Sequence, residues 1–355
     1  MSNQHPDLAE QIAALARGAW GASARALAVT PLAGDASSRS YVRVRLERAG
    51  ADTAVVMIQP DSGLSISSEE LAVFDQPLRE MPFLNVQRYL RAVGVAVPEV
   101  YAAGGDLVLL EDIGDTTLWD AARTASSPAR LELYRLAIDE LVRLQVAGAR
   151  RPDPACIAFR QSFDARLFFW ELDHFLDYGF TGRKLADADR LELRRRFEAL
   201  AAELADEPTV LAHRDYHSWN LFVRDGRIRV IDFQDALLAP PAYDLATLLN
   251  DRATPTIVTP DLERLLIDHF LARRREWGGA EAPREGFPSR YYMFLLQKSL
   301  KIVGRFHYLE QVKGRRGYVA MLPDTFATLR RCFDNLHDLR GLRAILVRSF
   351  PEIAA

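Results

Sequence analysis

The chain has 355 residues, 49% of them apolar, and a formal net charge of −3. That length and composition exclude a disordered or fibrous chain and suggest two lobes or two domains around a sizeable core. The near-neutral balance offers no electrostatic footprint for nucleic acid or a membrane surface, and no apolar run reaches the roughly 18 residues of a membrane span.

In chain order, the first 20 residues pattern as an amphipathic helix, with acids but no apolar leader region. Segments 26–32 and 40–47 read as strands. The second alternates Val42, Val44 and Leu46 with Tyr41, Arg43 and Arg45 at a period of two. Between them AGDASSRS is a turn-rich connector containing Gly34, Ser37 and Ser38. A third strand, 53–60, stops at Pro60, and helices follow over 67–80 and 83–94, with Ser67 and Ser68 as caps for the first. Residues 97–115 give two strands around Gly104-Gly105. Residues 1–111 thus form a small, mainly antiparallel β lobe, and 112–355 form a larger, mainly helical lobe: the fold class is α+β. Proline and glycine mark loops at 149–159 and 275–290. Short strands VLAH, NLFVR and IRVIDF, with a hairpin turn at Arg224-Asp225-Gly226, surround one very polar stretch, HRDYHSWN at 213–220.

Two cysteines, Cys156 and Cys332, match no metal or redox spacing and fit a reducing, cytoplasmic compartment. The chemistry gathers around the polar stretch. Asp215, Asn220 and Asp232 follow in fixed order, and the hairpin between the last two brings them together. An amide oxygen and a carboxylate are hard donors that suit Mg²⁺, which keeps waters and substrate phosphates as its other ligands. Asp215 then lies beside the metal site, placed to accept a proton from an attacking hydroxyl.

H-x-D-x-x-x-x-N followed by a hydrophobic-Asp-Phe segment resembles the protein-kinase-like fold, in particular the aminoglycoside phosphotransferase and choline kinase branch. The resemblance implies a two-lobed enzyme that phosphorylates a small molecule with ATP and Mg²⁺. On that basis Asp215 is the catalytic base, Asn220 and Asp232 are the metal ligands, and Asp244 braces the catalytic loop. The connector with Gly34, Ser37 and Ser38 stands where such enzymes cover the nucleotide phosphates. LVLLEDIGD stands at the hinge, where the backbone of Leu110 to Asp112 pairs with adenine. One departure is plain. The third-strand lysine of these enzymes is missing, because the only lysines are Lys184, Lys298, Lys301 and Lys313. Arg43 or Arg39 is the alternative grip on the phosphates.

A subgroup is closer still. GDASSRSYVRV, the lysine-free AVVMIQP, HRDYHSWN, IDFQDALLAPPAYDLATLLND and LKIVGRF are similar to the anomeric N-acetylmuramate and N-acetylglucosamine kinases of cell-wall recycling. The likeness spans most of residues 27–310, and no motif falls in the first 20 or last 40 residues. It implies phosphorylation of the sugar C1 hydroxyl by a monomer acting on an amino sugar and ATP. Neither nucleic acid nor membrane is a partner, and a sugar-1-phosphate nucleotidyltransferase takes the product. Arg214, His217 and Asp235 are candidates for sugar contacts, with Gln234 beside them. Glu171 and His174 share a helix face and are further candidates for the substrate wall; Lys301 and Arg305 share another, as candidates to meet a lactyl carboxylate, with core packing and surface charge as the alternative readings. An aminoglycoside or choline-like acceptor, and a nucleotide-binding protein without turnover, remain the alternatives.

Overall fold

The computed structural model describes residues 5–32, 39–47, 52–59, 80–278 and 286–354. Residues 67–79 of the expected helix at 67–80, and the connector residues Gly34, Ser37 and Ser38, lie outside the described residues.

The small lobe begins with α1 (His5–Trp20), followed by β1 (Arg25–Leu32), β2 (Ser40–Glu47) and β3 (Thr53–Ile58). Then come α2 (Pro82–Ala92), β4 (Val100–Gly104) and β5 (Leu107–Glu111). The sheet runs β1-β2-β3-β5-β4, antiparallel throughout. Its pleat separates two faces, as the period of two requires. Val42, Val44, Leu46, Ala54 and Val56 bury one face against Ile12 and Ala16 of α1. Tyr41, Val55, Met57, Val108 and Leu110 turn the other face toward the helical lobe and join its core.

Past β5 the chain enters α3 (Leu118–Thr124) and α4 (Ser127–Arg150). Thr117 caps α3 by accepting the Asp120 amide at 3.0 Å. An α-helical pair, α5 (Ala165–Tyr178) and α6 (Asp187–Ala205), precedes four short strands: β6 (Val210–Ala212), β7 (Leu221–Arg224), β8 (Arg227–Val230) and β9 (Leu237–Ala239). β7 and β8 form the expected hairpin, with Asp225 and Gly226 both at positive φ, as a tight two-residue turn demands. β6 pairs with β9, a strand too short to leave an alternation in the sequence. The remaining helices are α7 (Ala242–Asn250), α8 (Pro260–Glu276), α9 (Phe287–Gln311), α10 (Leu322–Asn335) and α11 (Arg340–Val347).

The two loop expectations are shortened at their edges. α4 continues to Arg150 and Ile157–Phe159 form a 3₁₀ turn, while α8 runs to Glu276 and α9 starts at Phe287 with a proline in its first turn. The last 40 residues fold as helices whose Phe326, Leu329, Phe333 and Leu346 complete the core around α9.

The crossing of α5 and α9 sets the position of everything on α9. Gly304 lies so close to α5 that a Cβ there would stand 2.8 Å from the Phe175 Cα and 2.9 Å from the His174 carbonyl. Both neighbours are backbone, which does not yield like a flexible side chain. Gly304→Ala is therefore expected to destabilise the protein by about 1–3 kcal/mol, as overpacking does, seen as a lower midpoint in thermal unfolding.

Candidate active site

The polar stretch follows β6 and is held by a buried carboxylate from the first turn of α7. Asp244 accepts the backbone amides of His213 at 2.6 Å and of Arg214 at 2.9 Å. The His213 ring bonds the Ile231 carbonyl through Nε2 at 2.8 Å, and the Tyr216 hydroxyl donates to the Ala137 carbonyl of α4 at 2.8 Å. Arg214 and Asp232 both take positive φ, at 79° and 63°. Non-glycine residues there cost on the order of 1 kcal/mol or more, so the surrounding bonds must impose the shape.

The loop brings the three predicted residues together. The Asn220 Nδ2 donates to the Asp215 carbonyl at 3.0 Å and reaches Oδ2 of Asp232 at 3.4 Å. The Asn220 carbonyl in turn accepts the Ile231 amide at 3.0 Å, locking the hairpin base. Gln234 donates its Nε2 to Oδ1 of Asp232 at 2.9 Å, a contact that the sequence position only hinted at. The Asp232 side chain is 43% exposed, so its carboxylate opens to the cleft. Among the described residues no group of three or more His, Cys, Asp and Glu side chains is arranged to hold a metal. One open carboxylate beside one amide is instead a two-ligand site of the sort that Mg²⁺ shares with waters and phosphates.

Cations from α9 surround Asp215. Lys298 is buried and donates its Nζ to the Thr247 hydroxyl at 2.8 Å and the Arg214 carbonyl at 3.3 Å. Burial pushes the Asp215 carboxyl up, but Lys298, Arg214, Lys301 and His217 together outweigh it and hold the group well below the usual carboxylate range. Burial also lowers Lys298, with Asp215 opposing. His217 is lowered chiefly by burial, so its imidazole is neutral at pH 7, and its Nδ1 is buried without a hydrogen-bond partner.

The outer candidates are placed differently from one another. Glu171 is fully buried and bound to Lys301; Gln297 donates to it at 2.8 Å, and the Arg214 guanidinium lies 3.9 Å away. His174 stands in an aromatic cluster with Trp170, Tyr178 and Tyr308, at ring separations of 5.5, 4.7 and 5.2 Å. Both side chains thus serve the α5–α9 packing. Arg305 lies over the Tyr308 ring at 5.2 Å. Asp235 is half-buried, three residues beyond Asp232. Lys298 was the residue that sequence reasoning undervalued. Its signal was there: two of only four lysines in an arginine-rich chain fall on one helix.

At the hinge, Arg43 forks onto two carboxylates: Nε and Nη2 bind Asp112 at 2.7 and 3.0 Å, and Nη2 and Nη1 bind Asp115 at 2.8 and 3.0 Å. Burial works against the Asp112 carboxylate, but hydrogen bonds from Arg43, the Gly114 amide and Thr53 hold it below its ordinary range. The Asp112 carbonyl accepts from Arg224, which ties the β7–β8 turn to the hinge. Leu110 is buried and paired with Val55 and Val100 inside the sheet. A cavity of about 530 Å³ opens here, lined by Arg43, Thr53, Asp112, Thr116, Val223 and Asp225 among others. Arg39, by contrast, reaches the other end of the cleft, where its Nη1 lies 3.7 Å from Oδ1 of Asp232.

Comparison with known proteins agrees with this geometry. Residues 28–282 match the phosphotransferase enzyme family. An N-acetylmuramate/N-acetylglucosamine kinase of Caulobacter vibrioides is 30% identical over 337 residues, covering 85% of this chain and 86% of its own. One of Neisseria meningitidis is 30% identical over 332 residues, covering 90% of each. Among solved structures, a choline kinase from Cryptosporidium parvum superposes with a TM-score of 0.61 at 14% identity, over 95% of this chain and 97% of its own. The chain belongs to the phosphotransferase enzyme family, has the two-lobed kinase-like fold, and acts on a hydroxyl acceptor.

Two outcomes follow for this site. Lys298→Met is expected to lower kcat on the order of tenfold to a hundredfold, because both the peptide before Asp215 and its charge lose support; Thr247→Val, which leaves the ammonium in place, is expected to cost less. Steady-state kinetics of the two variants checks this. Since the cations hold Asp215 below the ordinary range, the stability it contributes is complete above its unfolded value near 4 and is lost as pH falls toward the lower folded value. A pH–rate profile is accordingly expected to show no carboxylate limb between about pH 5 and 8.

Proposed function

We propose that the protein transfers the γ-phosphoryl group of ATP, with Mg²⁺, to the anomeric C1 hydroxyl of an N-acetyl amino sugar, N-acetylmuramate or N-acetylglucosamine or both, in peptidoglycan recycling. The observation that carries the reading is Asp215 set between the Asn220–Asp232 pair and the cations of α9, in a chain matched over 85% and 90% of its length by two relatives with that substrate name.

In this reading Asp215 accepts the proton of the sugar hydroxyl as the bond to phosphorus forms. The anomeric hydroxyl is more acidic than an ordinary alcohol, so a weakly basic, fully ionised carboxylate suffices late in a loose transition state. Asn220 and Asp232 hold Mg²⁺, which neutralises phosphate charge when bound. The cavity beside Asp112 at the hinge takes the nucleoside; Leu110 lies inside the sheet, its backbone already paired with β3 and β4. Gly34, Ser37 and Ser38 cover the phosphates. His217, whose Nδ1 lacks a partner next to Asn220, meets a sugar hydroxyl, and Asp235 a second. Arg214, Glu171 and His174 support the acceptor wall: Glu171 and His174 of α5 meet Lys301 and Tyr308 of α9, and Arg214 lies beside Glu171. The buried cations Lys298 and Arg214, with half-buried Lys301, at the acceptor end speak against a polycationic aminoglycoside. The protein works as a cytoplasmic monomer, and a sugar-1-phosphate nucleotidyltransferase takes its product.

The test is a panel of free N-acetyl sugars, aminoglycosides and choline with ATP and Mg²⁺, read as ADP formation. The phosphorylated carbon is assigned by phosphorus–carbon coupling. Coupling at C1 of an N-acetyl sugar is expected; phosphorylation at C6, or no N-acetyl sugar product, overturns the reading. Asp215→Asn is expected to lose roughly 10²–10⁴-fold in kcat, the usual span for a general base.

A further inference from the structure

We propose that Arg39 is the small lobe's ligand for the nucleotide phosphates, and that it is parked on Asp232 until metal and nucleotide take that carboxylate over. The inference rests on the reading of Asp232 as a metal ligand.

A nucleotide triphosphate brings several negative charges into the cleft, and the lobe that closes over it must answer with a cation. No lysine precedes Lys184, so only arginine can do so from this lobe. On the cleft-facing side of β2, Tyr41 and Arg43 stand opposite Met57 and Val55, and Met57 is fully buried, an apolar plug where a charge would otherwise fit. Arg43 is already forked onto Asp112 and Asp115 at 2.7–3.0 Å, at the hinge end. Arg45 is exposed, opposite Thr53 at the far end of the strand.

Arg39 differs from both. It is 7% exposed, yet its guanidinium crosses from the small lobe to within 3.7 Å of Asp232, the open carboxylate of the helical lobe. Tyr41 hydrogen-bonds it from the same face of β2. Gln234 holds the same Oδ1 at 2.9 Å, and Asn220 reaches Oδ2. A dication arriving at Asp232 would meet the guanidinium at a distance where like charges repel strongly. The planar fork then has a better partner close by, because a metal at Asp232 carries phosphate oxygens with it. Arg39 therefore plays two parts: it neutralises Asp232 in the empty cleft, and it grips phosphate in the loaded one.

The experiment needs no sugar. Binding of a fluorescent ADP analogue with Mg²⁺, and of Mn²⁺ alone by electron paramagnetic resonance, is measured on the full chain as wild type, Arg39→Gln, Arg39→Lys and Arg45→Ala. Arg39→Gln is expected to weaken nucleotide binding at least about tenfold while leaving Mn²⁺ binding unchanged or tighter, because the carboxylate has lost its competitor. Arg39→Lys is expected to recover part of the nucleotide affinity, and Arg45→Ala to change neither. Nucleotide bound by Arg39→Gln as tightly as by wild type overturns the proposal. So does weaker Mn²⁺ binding in Arg39→Gln, or Arg39→Lys binding nucleotide no better than Arg39→Gln. Should Arg39→Gln fail to unfold cooperatively, the Arg39→Lys and wild-type curves decide, with equal affinity and equal Mn²⁺ binding as the negative result. An error in the acceptor reading would show only in the sugar panel and leave these curves untouched.

Discussion

Everything at the site depends on one buried carboxylate. Asp244 gives both its oxygens to consecutive backbone amides, those of His213 and Arg214, in the interior of the helical lobe. A carboxylate taken out of water needs such partners to offset its lost hydration. The two amides would be orphans in their turn, since they belong to a turn and not to a helix or a ladder. Each side of the contact thus satisfies the other. The result is a non-glycine residue held at a φ of 79°, which the chain would not choose unaided. Lys298 takes the carbonyl on the far side of Arg214, so the peptide that leads into Asp215 is fixed at both ends.

The same few charges set geometry and electrostatics together. Lys298 and Lys301 reach the loop from α9, and α9 can stand that close only because Gly304 lets its backbone touch α5. Glu171 on α5 and Lys301 on α9 then bind across the crossing, with Gln297 on the second carboxylate oxygen. Burial alone would make Asp215 a weaker acid; the surrounding cations reverse that. The base role proposed for Asp215 needs a carboxylate that is ionised beforehand and not strongly basic, and this arrangement keeps it so. A helix far along the sequence therefore governs the behaviour of a loop about eighty residues before it.

Legibility in the sequence followed the range of the interactions. The β2 alternation, the Asp225-Gly226 turn and the Asp215–Asn220–Asp232 spacing are local, and each element formed where its residues pointed. β9 went unseen because three residues show no period. Glu171 and His174 share a helix face as expected, but Gln297 and Tyr308, which meet them from α9, stand 126 and 134 positions away, and only the fold says whether that face meets a ligand or another helix. Lys298 was visible as a scarce lysine in a helix, and its task was not, because a charge acting through space leaves no spacing.

The two β2-side arginines carry the same lesson further. Read along the strand, Arg39 and Arg43 lie on one face, four residues and so about 13 Å apart. Nothing in their immediate neighbours ranks one above the other as a phosphate ligand. What separates them is the chain that comes back underneath. At the hinge it supplies Asp112 and Asp115, whose paired carboxylates fit a guanidinium fork on both edges and occupy four of the five N–H donors of Arg43. At the other end it supplies the Asp232 carboxylate, at a longer distance and open to the cleft. One arginine is thereby committed to joining the lobes, and the other makes the longer contact that its proposed exchange onto phosphate requires. Under the role proposed for Arg39, the missing lysine is a redistribution: the cation moves from the middle of a strand, where Met57 closes the core, to the start of a neighbouring one beside Asp232.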